Sequence, residues 1–273
     1  VLRCSHAKFP ATMMLMLQMI QSLVLMLAPA NAVVSASFLH SRNASQMKRQ
    51  PHSGCSAGLQ HIKDKLRHDG GFPIPEDGLH TPAVEGGADS GLFAYLGQLS
   101  YDELSRVHQD SSSGTICETG FNYGTSSYAF LCSTQAQVFA WDLGAHAYVQ
   151  HAQELVSAEF PGRHHLTLGD STTTLPRAAA ASNDEPLLGR KCDFVYVDGG
   201  HSQDVASSDL ENFAKIAAPG ALIVVDDCYH GGTGHIQGVT TAFDLAVQAG
   251  KILPEQTLSQ TFTQRRSLCV GRL

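Results

Sequence analysis

The stretch Thr115-Ile116-Cys117-Glu118-Thr119-Gly120-Phe121-Asn122-Tyr123-Gly124-Thr125-Ser126-Ser127 decides how the rest of the chain is read. A short β-prone run ends on an acid, Glu118. A glycine-punctuated turn follows, and then a run that can open a helix. Strand, turn and helix N-terminus together form a nucleotide-sized pocket: small residues let the backbone approach a ligand, and the helix end offers free N–H groups. The spacing is E-x-G-x-N-x-G rather than G-x-G-x-x-G.

Downstream, strand-like and helix-like runs alternate. Strands are expected over 115–119, 138–142, 165–168, 192–198 and 221–226, with two more over 257–263 and 267–272. Between them lie a helix over 125–131 and three apolar stripes at helical spacing. These are Tyr148/Ala152/Leu155/Val156, Ala206/Leu210/Phe213/Ala214 and Val239/Ala242/Phe243/Ala246. Such alternation predicts an α/β fold, a doubly wound, mostly parallel sheet with helices on both faces. Ligands of such sheets bind beyond the carboxyl ends of the strands. Here the expected strand ends carry Glu118, Asp142, Asp170, Asp198 and Asp226. One acid there is an ordinary turn residue; an acid at every end of the set is a rim.

Upstream the chain is read as three parts. Over 1–32, Arg3 and Lys8 precede the apolar run 13–27, and Ala30-Asn31-Ala32 follows it. That is a signal-peptide pattern. A membrane anchor is the alternative, but it needs roughly 20 apolar residues, and Gln18 and Gln21 interrupt this run. Translation from Met13 or Met14 would remove the basic part. A true signal implies the secretory pathway or membrane association; otherwise the chain is expected in the cytoplasm. Asn43-Ala44-Ser45 fits a glycosylation acceptor in a secreted chain. Residues 33–88 read as a poorly structured linker with one short helix over 59–67. Residues 89–110 carry one or two helices of the folded domain 89–273, and Ser100 with Glu103 resembles a capping box opening the second.

The formal charge of -7 and the absence of any Lys/Arg cluster larger than a pair such as Lys48-Arg49 argue against nucleic acid. The seven cysteines, Cys4, Cys55, Cys117, Cys132, Cys192, Cys228 and Cys269, contain no C-x-x-C and no zinc-like spacing. Cys117, Cys192, Cys228 and Cys269 fall in or beside apolar strands. They are expected to be buried thiols acting as small hydrophobes, and the odd count gives no disulfide framework.

From Gly114 to its end the chain resembles the class I S-adenosylmethionine-dependent methyltransferases. More narrowly, Glu118-x-Gly120-x-Asn122-x-Gly124-x-Ser126, with Val197-Asp198-Gly199-Gly200-His201-Ser202, resembles small O-methyltransferase-like families, including the type-24 methyltransferase domain. The resemblance implies a Rossmann-like seven-stranded sheet with an antiparallel last strand, S-adenosylmethionine as cofactor and a small-molecule acceptor. The physical reading agrees. This cofactor carries an ammonium and a sulfonium but no phosphate, so an acid at Glu118 suits it and would repel a pyrophosphate. Gly120 and Gly124 let the backbone close in, and Asn122 tolerates left-handed geometry. Asp142 is placed to accept the ribose hydroxyls. Asp170 with Ser171 would face the adenine; the alternative for Asp170 is a helix N-cap. Ser126 and Asp198 complete the expected cofactor set.

In metal-dependent enzymes resembling catechol O-methyltransferase, acids ending strands four and five hold magnesium. Asp198, Asp226 and Asp227 match those positions. Mg2+ or another divalent cation would relieve their mutual repulsion and lower the pKa of an acceptor hydroxyl. His201 stands where that family carries its catalytic lysine, and a histidine can act as general base near neutral pH. His201 and Asp198 are thus the expected catalytic pair. Plainer readings remain: Asp198-Gly199-Gly200 as a turn with Ser202 as helix cap, His201 as a solvated or substrate-contacting residue, Asp227 as a loop cap. His230 and His235 sit in a glycine-rich stretch read as a mobile substrate loop. The expected activity is methyl transfer to a hydroxyl. An NAD(P)-dependent oxidoreductase is disfavoured by Glu118 and the missing middle glycine. A non-catalytic binding protein on the same fold is disfavoured by the acids kept at the rim.

Overall fold

Successive residues of a strand point to opposite faces, and here both sets are apolar. Ile116, Val138, Ala140, Phe194, Tyr196, Leu222 and Val224 enter one buried cluster; Cys117, Phe139, Trp141, Val195, Val197, Ile223 and Val225 enter another. A sheet apolar on both faces must be covered on both, which is the doubly wound arrangement. The computed structural model describes residues 55–68, 88–109, 112–180, 187, 189–228, 235–263 and 266–273. The expected signal or anchor over 1–32, Asn43 and His230 lie outside the described residues.

The strands are β1 Thr115–Thr119, β2 Gln137–Asp142, β3 His164–Leu168, β4 Cys192–Val197, β5 Ala217–Val225, β6 Leu253–Thr263 and β7 Arg266–Arg272. They form one seven-stranded sheet in the order β3-β2-β1-β4-β5-β7-β6. β3, β2, β1, β4 and β5 pair in parallel, and β7 runs antiparallel between β5 and β6. The expected fold class stands. β5 begins four residues before the expected 221, because pairing resumes across a bulge: Cys192 pairs Ala217, then Phe194 pairs Leu222. Gly220, at φ 78, turns the backbone inside that bulge.

Four helices supply the first cluster: α1 Cys55–His68, α2 Ala88–Val107, α3 Thr125–Ser133 and α4 Tyr148–Glu159. Three supply the second: α5 Ser171–Ala179, α6 Gln203–Ile216 and α7 His235–Gln248. The short helix expected at 59–67 is longer and is no linker element, since Cys55, Leu59, Ile62 and Leu66 recur at helical spacing and are all buried. α2 is one helix throughout, so the capping box at Ser100 does not form. Ser100 Oγ donates to the Gly97 carbonyl instead. Glu103, 5% exposed, takes Arg106 from its own helix and Arg272 from β7, the latter at 2.7 Å. Two guanidiniums claim the carboxylate that a capping box would need.

The cysteine expectation is overturned. Three disulfides join Cys55–Cys132, Cys117–Cys192 and Cys228–Cys269. Burial was read correctly, but burial does not distinguish a thiol from a half-cystine. Cys117 and Cys192 lie on neighbouring β1 and β4, Cys228 follows β5 beside Cys269 on β7, and Cys55 brings α1 onto α3. The odd residue of the count is Cys4, outside the described residues. Among the described residues no helix is long and apolar enough to cross a membrane.

Candidate active site

Past the end of β1 the backbone adopts three left-handed residues in a row of five: Gly120 (φ 89), Asn122 (φ 53) and Gly124 (φ 87). A Cβ on Gly120 would lie 1.9 Å from the Asp198 carbonyl oxygen, so glycine is required by space as well as by φ. Gly120 N–H donates to the Trp141 carbonyl and Asp198 N–H to the Thr119 carbonyl, both at 2.9 Å. The turn is thereby held between the ends of β2 and β4.

Glu118 is fully buried, with its carboxylate turned toward α3. It accepts hydrogen bonds from Ser126 Oγ, at 2.5 Å, and from Ser127 Oγ. Burial pushes Glu118 up to about 7; the charges of Asp198 and Asp142 add to this, and the two hydroxyls oppose it. Ser127 Oγ is also 2.9 Å from His164 Nε2, and burial holds that imidazole neutral, near 3. Glu118 therefore braces β1 against the helix start from within the core. Glu118 shares strand parity with Ile116 and so faces the cluster that α3 covers; what the sequence pattern did not show is that two serines of α3 take its carboxylate.

Asp142, ending β2, accepts from Asn122 N–H (2.8 Å) and Gly144 N–H (2.7 Å). Tyr148 hydroxyl donates to Asn122 Oδ1 at 2.6 Å, and its ring stacks on His146. The Asp142 carboxylate is thus oriented at the rim by two loops. Asp170 is exposed and forms the N-cap of α5, accepting from Thr172 N–H at 2.9 Å and Thr172 Oγ1 at 2.7 Å. These bonds hold its carboxyl below the usual range. Ser171 is the first residue of α5.

At the ends of β4 and β5 the converging side chains are Asp198, His201 and Asp227. His201 Nε2 lies 3.4 Å from Asp227 Oδ2 and 3.9 Å from Asp198 Oδ1. Each of the three residues offers a ligand atom, and these atoms lie within 4.8 Å of one another. Asp198 raises the His201 pKa, as do the charges of Asp227 and Asp226, while partial burial opposes them. Asp226 is 2% exposed and faces inward: it accepts from Tyr196 hydroxyl at 2.9 Å and from Asp227 N–H at 2.9 Å. The same Tyr196 oxygen is 3.4 Å from Asp198 Oδ2. Asp227 has a left-handed backbone, φ 51, uncommon for a residue other than glycine. Ser202 caps α6, accepting from Val205 N–H. A Cβ on Gly238 of α7 would lie 2.8 Å from the His201 carbonyl, so α7 packs directly on the His201 turn. His235 opens α7. Tyr196, Ser127 and Asp209 belong to this region and were not singled out by sequence. For Tyr196 a signal existed: it stands two residues before Asp198 and so shares its face.

Residues 117–228 match the sequence model of a family described as a methyltransferase domain. The seven-stranded sheet that contains them has the Rossmann-like fold of methyltransferases. The matched segment runs from β1 to the residue after Asp227, and so contains every rim acid described above. Among solved structures the chain is similar to an O-methyltransferase from Bacillus cereus in complex with SAH. That match has 14% identity and TM-score 0.57, and it covers 84% of this chain and 95% of the other. It is likewise similar to the O-methyltransferase TomG from Streptomyces achromogenes, involved in tomaymycin synthesis and solved with SAM. There the identity is 19% and the TM-score 0.53, over 79% of this chain and 89% of the other. At these identities the likeness shows the fold. No curated protein matches the sequence.

Proposed function

We propose that the chain is an S-adenosylmethionine-dependent methyltransferase that acts on a hydroxyl of a small molecule. The observation that carries the reading is the contact between the left-handed turn and the acid–histidine cluster. Gly120 packs on the Asp198 carbonyl, and the Asp198 carboxylate lies 3.9 Å from His201 Nε2, so the turn and the cluster share one residue. The residues fit this cofactor. The turn holds three left-handed residues, Gly120 and Gly124 among them, an acid is oriented at Asp142, and the glycine spacing of pyrophosphate sites is absent. The domain match and the SAM and SAH complexes of the two solved relatives support the same reading.

When bound, the cofactor supplies an electrophilic methyl group on its sulfonium. Asp142 would hold the ribose hydroxyls and the backbone over 120–124 the amino-acid half, while Glu118 braces that turn through Ser126 and Ser127. Ser171 and Asp170 would border the adenine. His201 takes the acceptor proton, and Asp198 and Asp227 orient the imidazole and stabilise the imidazolium that forms. A raised pKa makes His201 a stronger base with a smaller unprotonated share at neutral pH. The enzyme's remaining contribution is alignment.

The test is titration calorimetry followed by a labelled-methyl assay over hydroxyl acceptors. Heat with S-adenosylhomocysteine and none with NAD is expected; the reverse identifies an oxidoreductase. Binding without turnover on any acceptor identifies a binding protein. A second reading has its own observation. Because Asp226 faces inward, a divalent cation would be held by Asp198, His201 and Asp227, with His201 as ligand instead of base. Bound there, it would polarise the acceptor oxygen as a Lewis acid. Turnover unaffected by exhaustive chelation excludes it.

A further inference from the structure

Asp209, on α6, takes no part in the chemistry above. It has no exposure, and neither carboxylate oxygen closes a hydrogen bond. An unmatched buried polar atom is costly, so such a group calls for a reason. Its surroundings supply one. Thr119 ends β1, Gly199 follows β4, and Ser171 starts α5 after β3; all three border this carboxylate. The point where a Gly199 Cβ would sit is 3.1 Å from Asp209 Oδ2 and 3.1 Å from Thr119 Oγ1. The Thr119 hydroxyl is itself buried and without a partner. Burial pushes Asp209 up to about 6, the Asp170 charge adds to this, and the Ser171 and Thr119 hydroxyls work against it. Two hydroxyls therefore neighbour one carboxylate beneath three separate turns without closing a hydrogen bond on it. Glycine at 199 leaves the space in which they can close.

We infer that Asp209 is a positioning residue: it ties the turns after β1, β3 and β4 together from beneath, and the Thr119 and Ser171 hydroxyls close on it when the pocket fills. The role rests on the methyltransferase reading for what fills the pocket, but not for the ties themselves. It is a hydrogen-bonding role rather than one of charge, since among the described groups that act on this carboxylate there are two hydroxyls and an acid but no cation. An amide of the same shape should serve almost as well, and a methyl group should not.

The experiment is hydrogen exchange read by mass spectrometry on the full chain and on Asp209→Ala and Asp209→Asn, with S-adenosylhomocysteine affinity measured in parallel. In the alanine variant, exchange is expected to rise about tenfold in the peptides over 119–121, 169–172 and 198–200, and to stay unchanged in β5 and β7. Affinity should fall about tenfold, which corresponds to about 1.4 kcal/mol. In the asparagine variant both should return to within about threefold of the parent. Unchanged exchange at the three turns overturns the inference, and so does a uniform rise along the whole chain. An asparagine variant as impaired as the alanine one overturns the hydrogen-bonding role. If the parent binds no S-adenosylhomocysteine but its turns loosen in the alanine variant, the positioning role stands and the methyltransferase reading falls. If the alanine variant does not fold, Thr119→Val, which removes the partner hydroxyl at nearly constant shape, is expected to loosen the same turns.

Discussion

At the scale of the residue, the site depends on a few positions where backbone and space leave one solution. Gly120→Ala would need a left-handed alanine with its Cβ against the Asp198 carbonyl. A loss of about 2–3 kcal/mol is expected, seen as a Tm lower by roughly 5–10 °C, with S-adenosylhomocysteine affinity reduced as well. A variant as stable as the parent would show that the turn can relax. For His201→Gln, cofactor affinity should hold while kcat falls by about 10²–10⁴; steady-state kinetics beside calorimetry separate the two. Glu118 makes a pH prediction. Its folded pKa, about 7, lies above the ordinary 4.5. Between those values the folded chain keeps a proton that the unfolded chain has released, so stability falls as pH rises through the window. Glu118→Gln removes that loss. The Tm of the variant relative to the parent should therefore climb from about pH 5 to about pH 7, and a flat difference would mean the carboxylate is ionised throughout. Glu118 was legible as an acid at a strand end, but not its partners, two serines of the following helix.

At the scale of the element, α1 is the clearest departure from expectation. A helix in a polar, glycine- and proline-rich stretch reads as part of a linker, because composition averages over neighbours. The four buried residues Cys55, Leu59, Ile62 and Leu66 are spaced as a helix face. What they pack against is α3 and α4, far along the chain, and Cys55 is bonded to Cys132 of α3. Leu66, with no exposure, gives a direct test. Leu66→Ala should cost about 2–5 kcal/mol in denaturant unfolding if α1 belongs to the core, and close to nothing if it is a linker. The bulge in β5 has a similar origin. Pro219-Gly220 is a correct stop signal for α6, but pairing with β4 carries the strand across it.

At the scale of the whole molecule, a sheet buried on both faces brings all five expected strand ends to one rim, and three disulfides cross-link elements 41 to 77 residues apart in sequence. Bonds closing such long loops restrict the unfolded chain most, typically by about 2–4 kcal/mol each. Full reduction should therefore lower the Tm by well over 10 °C. Peptide mapping without reductant should recover the pairs Cys55–Cys132, Cys117–Cys192 and Cys228–Cys269; recovery of free thiols at these positions would refute them. Disulfides of this kind persist where the environment is oxidising, which accords with the signal-peptide reading of 1–32. Sequencing the mature N-terminus would decide that reading.

The alternation of strand and helix, the doubly wound sheet, the left-handed turn at Asn122 and the acids at the rim all follow from the sequence alone, because each depends on local periodicity, turn chemistry or the residue that ends a strand. Which acids face the pocket did not. Asp226 turns inward because Tyr196, thirty residues earlier, offers it a hydroxyl, and His201 then meets Asp198 and Asp227 in its place. The cysteine pairs, the docking of α1 and the burial of Asp209 under three turns were likewise decided by tertiary structure. Each is a contact between segments that no local pattern joins, and side-chain direction beyond a strand end is set by the partner it finds.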